Sequence, residues 1–141
     1  FINHMIFYEL KIKYTRQTGE DNPKEVNEVY FVEGLTAADV EERLLGEIQR
    51  YISGEWETLS CKKVQLYDYI AKPEAEKWYK ARVELITIDN DKETRKAVNF
   101  YAQANNITEA NKAIHQAMGN EEFEVASVTR AKLVDIIRAV R

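Results

Sequence analysis

Cysteine is nearly absent from this chain: among 141 residues, Cys61 carries the only thiol. No disulfide can close within the chain, and a lone thiol suits a reducing compartment. Histidine is almost as scarce, with only His4 and His115, and these do not supply the clustered Cys and His ligands of a zinc site. Five glycines are present, none in a glycine-rich phosphate loop. No apolar run approaches the roughly 18 residues that span a membrane. The N-terminus also lacks the charged-then-apolar pattern of a signal peptide. Phe1 to His4 read as an added leader ahead of a native start at Met5. A cytoplasmic protein is expected, with no membrane, metal or small-molecule cofactor.

The length fits one ordinary domain, and 45% apolar content is enough to fill its core. Charge is uneven. Residues 1–70 carry 8 basic and 13 acidic side chains, and residues 71–141 carry 12 and 11. A strongly basic nucleic-acid footprint is therefore absent overall. Local basic surface remains available near the C-terminus, from Arg130, Lys132, Arg138 and Arg141.

The dominant feature is an internal repeat. Phe7-Tyr8-Glu9-Leu10-Lys11-Ile12 matches Trp78-Tyr79-Lys80-Ala81-Arg82-Val83: two aromatics, then alternating charged and apolar residues. Glu55 to Ile70 matches Glu122 to Ile137 without a gap, with six of sixteen positions identical. Between these blocks, Leu35-Thr36 is matched to Ile107-Thr108. The spacing falls from 71 to 67 residues, so the second copy has a shorter loop after its helix.

Each copy reads as strand, strand, helix, strand. Ile6, Tyr8, Leu10, Ile12 and Tyr14 alternate with Phe7, Glu9, Lys11 and Lys13, the period of a half-buried strand. Gly19, Asp21, Asn22 and Pro23 supply a turn, and a second strand runs from about Val26 to Glu33. Thr36 and Asp39 form a capping box, and Leu35 and Val40 have hydrophobic-staple spacing. Val40, Leu44 and Ile48 then line one helical face. A long strand follows from about Glu55 to Tyr69. In the second copy, the strand through Tyr79, Ala81, Val83 and Leu85 turns at Asp89-Asn90-Asp91. It is followed by a strand through Val98, Phe100, Ala102 and Ala104, a helix from about Glu109 to Met118, and a strand from about Glu122 to Val134. Leu133 to Val140 also fit a helical period; the strand reading is preferred because the matching Leu66 to Ile70 carries two tyrosines. The expected fold is α+β: two tandem β-β-α-β units over residues 5–70 and 78–141, joined by a connector at 71–77. The sheet is mainly antiparallel, with both helices packed on one side.

Phe7 to Tyr14, Tyr51-Ile52-Ser53-Gly54-Glu55, Trp78-Tyr79-Lys80 and Val125-Ala126-Ser127-Val128-Thr129 together resemble an uncharacterised family of Bacteroidetes and their phages, the domain of unknown function 4494. The resemblance covers nearly the whole chain after Met5. It implies a cytoplasmic or phage-encoded accessory protein and supplies no catalytic residues.

The residues themselves offer little chemistry. Cys61 matches Val128 in the repeat, which marks a packed position. His115 falls on the polar side of its helix. Asp89 to Glu93 lack the glycine and glutamate of a calcium loop and read as a hairpin turn. Glu55/Glu57 and Glu122/Glu124 recur as strand-edge charges. Without a triad, metal set or phosphate loop, a non-enzymatic binding protein is expected. The first reading is single-stranded DNA or RNA bound on the sheet, through aromatic stacking and cationic side chains. Its candidate residues are Phe7, Lys11, Lys13, Lys63, Tyr67, Trp78, Lys80, Arg82, Arg130 and Lys132. The alternative is a protein-interaction or assembly module, including a homodimer through edge strands.

Overall fold

The computed structural model describes residues 6–16 and 23–139. The leader reading of residues 1–4 and the turn residues Gly19, Asp21 and Asn22 lie outside them. The described chain is α+β, with eight strands, two helices and two four-stranded sheets.

Strand β1 (Phe7–Arg16) pairs antiparallel with β2 (Lys24–Glu33), with Phe7 opposite Glu33. Its buried residues Tyr8, Leu10, Ile12 and Tyr14 recur at every second position. They meet α1 (Ala37–Ile48), which buries Val40, Leu44 and Ile48 in one cluster with them. Each fully buried aliphatic side chain of this kind contributes roughly 1.5–3 kcal/mol of transfer free energy. A short 3₁₀ turn (Gln49–Tyr51) leads into β3 (Ile52–Lys63), which pairs with the other side of β1.

The second copy repeats this arrangement. Strands β5 (Lys77–Asp89) and β6 (Lys92–Ala104) form a hairpin through Asn90 and Asp91, both at positive φ, as a tight two-residue turn requires. Helix α2 (Ile107–Met118) buries Ala110, Ile114 and Met118 against Tyr79, Ala81, Val83, Phe100 and Ala102. Strand β7 (Phe123–Ala131) pairs with β5.

The third strands are shorter than their sequence suggests. Each breaks after the long segment and resumes as a three-residue strand, β4 (Asp68–Ile70) or β8 (Asp135–Ile137). These two short strands are exchanged. β8 runs parallel to β2 and completes the order β3-β1-β2-β8; β4 runs parallel to β6 and completes β4-β6-β5-β7. The compact units therefore comprise residues 6–64 with 132–139, and residues 65–131, rather than 5–70 and 78–141. We call them the first and second unit.

Matched side chains fasten the exchanged strands. Glu33 Oε1 accepts from the Ala139 amide at 2.9 Å and from Arg138 Nε at 3.0 Å. At the equivalent place in the second unit, Gln103 Oε1 accepts from the Lys72 amide at 2.9 Å. Val134 N–H donates to Val29 O at 2.8 Å, as Tyr67 N–H does to Asn99 O at 2.9 Å.

The registers also settle the alignment of the copies. Spacing falls from 71 residues at Phe7/Trp78 to 70 at Glu33/Gln103 and 67 at Ser60/Ser127. The helix starts align as Thr36 with Asn106, two residues from the Leu35-Thr36/Ile107-Thr108 match. Asp39 N–H donates to Thr36 Oγ1 at 3.1 Å, and Glu109 N–H to Asn106 Oδ1 at 2.9 Å. The Asp39 and Glu109 carboxylates reach back to the amides of Leu35 and Asn105. The expected staple is not formed, because Leu35 is 79% exposed. Val40 instead lies beneath Gly34, where an added Cβ would sit 2.5 Å from Val40 Cγ1.

Candidate functional site

Within each unit, the residues expected to form a nucleic-acid surface do not all lie on one exposed face. Phe7 and Trp78, meant as stacking platforms, are buried at 2% and 1% exposure. A base cannot stack on either ring. Trp78 packs with Tyr69 at 6.5 Å between ring centroids, and its Nε1 is buried without a hydrogen-bond partner among the described residues. Tyr67 is half-buried and packs on Phe100 at 5.2 Å, in the core beneath α2.

The cations divide between faces. Lys11 and Lys13 alternate with the helix-facing residues of β1, as Lys80 and Arg82 do on β5. Lys63 lies opposite Tyr8 and Arg130 opposite Tyr79, both registered to helix-side residues. Lys132 follows β7 and falls in the other unit. A β-bulge causes part of this division. Pairing shifts by one residue between Lys11 and Ile12 against β3, and between Arg82 and Val83 against β7. Leu59 and Ala126 are the extra residues, and they are equivalent in the repeat. A single extra residue reverses the alternation beyond it. Lys11 and Arg82 hold equivalent places, opposite Ser60 and Ser127. Lys11, Lys80 and Arg82 are exposed and make no ion pair among the described residues, whereas Lys13 pairs with Glu25 at 3.6 Å.

The stronger shared feature is a pair of open sheet edges. β3 pairs only with β1, and β7 only with β5, so each long strand has one unpaired side among the described residues. Both carry acids before bases: Glu55 and Glu57 then Lys62 and Lys63 on β3, Glu124 then Arg130 on β7.

Beside β7 runs an open cleft of about 630 Å³, lined on the helix side by Ile107, Thr108, Asn111 and His115, and on the strand side by Phe123, Val125 and Val128. Ile107 is 51% exposed, and the His115 ring packs on Phe123 at 5.0 Å. In the first unit, Thr58 Oγ1 donates to Glu41 Oε2 at 2.7 Å and ties helix to strand. The matching residues in the second unit are Asn111 and Val125, which line the cleft.

Two polar clusters complete the picture. Glu28 accepts from Tyr14 at 2.8 Å, from Tyr30 at 2.9 Å and from Arg16 at 3.2 Å. Burial, and then the Glu28 hydrogen bond, push the Tyr14 hydroxyl up to about 12. Burial and the Glu28 charge also raise Tyr30. The second unit places Leu85, Val98 and Phe100 at the equivalent positions, so this network belongs to the first unit alone. Arg95 binds Glu84, Glu93 and Glu124, each at 2.9 Å. Burial and the Glu41 carboxylate raise the Cys61 thiol, which makes it a poor nucleophile at neutral pH. No group of three or more His, Cys, Asp or Glu suited to a metal ion occurs among the described residues. No helix there is long and apolar enough to cross a membrane.

Neither a curated protein nor a solved structure matches the chain. A family model does match, over residues 6–139, and so spans both units and both exchanged strands. The chain belongs to the family described as Domain of unknown function (DUF4494).

Proposed function

We propose that the protein is a non-enzymatic interaction module that takes up a protein partner by strand addition along β3 and β7. The observation that carries this reading is the pair of unpaired edges, 12 and 9 residues long, at equivalent places in the two units. An open edge offers a row of backbone donors and acceptors to an extended partner, and neighbouring pockets select its side chains. The bulges and end charges keep these edges from pairing indiscriminately, so a partner is chosen by charge order as well as by backbone. The family resemblance suggests a Bacteroidetes or phage origin, and a cytoplasmic setting fits the lone thiol.

The test is selection from a display library of extended peptides, followed by amide chemical-shift mapping on the intact chain. Binders should perturb β3 or β7 and lose binding when proline replaces their central residues. Failure to enrich binders, or perturbations confined to the helices, would overturn the reading.

A second reading, nucleic acid, is favoured by one observation: the unpaired cations Lys80 and Arg82, with Lys11 at the equivalent place. It would act through phosphate contacts rather than stacking, with a steep salt dependence. Anisotropy of a labelled oligonucleotide at low salt tests it. Binding abolished by Lys80→Glu with Arg82→Glu would favour it over strand addition, and no binding would remove it.

A further inference from the structure

We infer that the partner taken up by β7 is an extended protein segment that reads acidic, apolar, acidic opposite Ser127, Val128 and Thr129. The inference rests on the strand-addition reading above and adds the chemistry of the partner.

β7 presents different chemistry on its two faces. Val128 is registered to Ala81, a core residue beneath α2, and so lies on the helix side. Ser127 and Thr129 are registered to Arg82 and Lys80 on the opposite side. A strand added to the free edge follows the same alternation. Its residue level with Val128 points to the helix side. Its residues level with Ser127 and Thr129 point to the side of Arg82 and Lys80.

The helix side is apolar and has room. The cleft of about 630 Å³ lies there, bordered by Ile107 from α2 and by Phe123, Val125 and Val128 from β7. In the first unit the Thr58–Glu41 hydrogen bond crosses the equivalent position. Val125 has no donor for such a bond, so the groove stays open to an incoming side chain.

The other side is cationic. Lys80 and Arg82 are exposed and make no ion pair among the described residues. The acids on this face of the same two strands, Glu84 and Glu124, are both held by Arg95 at 2.9 Å. An added strand lies two strand spacings from β5, about 10 Å. Between them stand Ser127 and Thr129, exposed and short, over which lysine and arginine can reach a partner's carboxylates. Opposite charges across a sheet stabilise pairing and like charges oppose it, so acids are selected on this face.

β3 is less prepared. The Thr58–Glu41 bond bridges the equivalent of the cleft, and on the other face Glu9 holds Lys62 at 3.7 Å and Glu25 holds Lys13 at 3.6 Å. This makes β3 an internal control.

Amide chemical-shift mapping of the full chain, titrated with synthetic peptides, reads the outcome. The first peptide alternates glutamate and valine. Others replace its glutamates by lysine, replace its valines by serine, or methylate consecutive central backbone nitrogens. The first should shift the amides of β7 before those of β3. Lysine or serine replacement should each weaken binding by about tenfold or more, and methylation should abolish it. Lys80→Glu with Arg82→Glu should turn the preference to the lysine peptide, and Lys11→Glu should leave it unchanged. All three sites are exposed, so circular dichroism should show each variant folded. Binding at β7 that ignores peptide charge, or favours lysine in the unaltered chain, overturns the inference and leaves strand addition standing. So does a β7 edge that takes library peptides but not the glutamate–valine peptide. Binding that survives methylation, or no binding by these or the library peptides, overturns strand addition as well. An oligonucleotide that shifts the amides around Lys80 and Arg82 where the acidic peptide shifts none assigns that face to nucleic acid and overturns the inference too.

Discussion

Glu28 shows how one side chain divides two otherwise matched units. Its carboxylate satisfies two tyrosine hydroxyls and one guanidinium on the β1–β2 hairpin. Removing the charge while keeping the shape weakens three hydrogen bonds at once. Glu28→Gln is expected to cost on the order of 1–3 kcal/mol, read from urea unfolding midpoints. The pH dependence has a defined sign. The Tyr14 pKa is raised in the folded state, so the neutral hydroxyl supports folding fully below about 10. That support is lost as pH climbs from about 10 to about 12. Tyrosinate absorbance should show the late-titrating group, and Glu28→Gln should bring its midpoint down. At this scale the sequence was partly informative. The match of Cys61 with Val128 predicted a packed thiol, and the structure places it half-buried beside the first core. Phe7 and Trp78 were misread because alternation reports which face a ring occupies and not whether that face is covered.

Among the elements, helices were the most legible. Val40, Leu44 and Ile48 fix a helical face by period alone, and Thr36 marks its start. Thr36→Ala and Asn106→Ala should each cost about 1 kcal/mol, since each leaves an amide at the first turn without its side-chain acceptor. Thermal unfolding followed at the helix band checks both. Gly119 ends α2 at φ 61°, and its amide donates to His115 O at 3.2 Å. Space for a Cβ is not the constraint there, as no atom lies within 4 Å of one. Gly119→Ala should still destabilise by about 1 kcal/mol or more, from backbone strain alone. Strand ends were harder to read. The residues at 64–67 continue an alternating pattern, so the break before β4 has no local signature. The bulges at Leu59 and Ala126 are equally silent, because an extra residue changes register without changing composition.

For the whole molecule, the duplication was visible in the sequence and the exchange was not. Sequence similarity shows that two segments are equivalent; it does not say which sheet each one joins. β8 meets β2 through only three registered pairs, and the side chain of Glu33 adds two hydrogen bonds to its hold. Glu33→Ala should loosen β8 while leaving the second unit intact. Hydrogen exchange is the measurement: Tyr30 to Val32 and Ile136 to Ile137 should lose protection, and β5 and β6 should keep theirs. Uniform loss across both units would show that the strand is not separately held.

The swap of short strands has a consequence during synthesis. Glu33 and Arg138 are 105 residues apart, so the sheet that contains β1 and β2 stays open on one flank until β8 leaves the ribosome. The central unit, residues 65–131, is contiguous and can mature sooner. Vectorial translation would thus let residues 65–131 finish before the unit that β8 closes, with β2 a temporary site for chaperones or for stray strands.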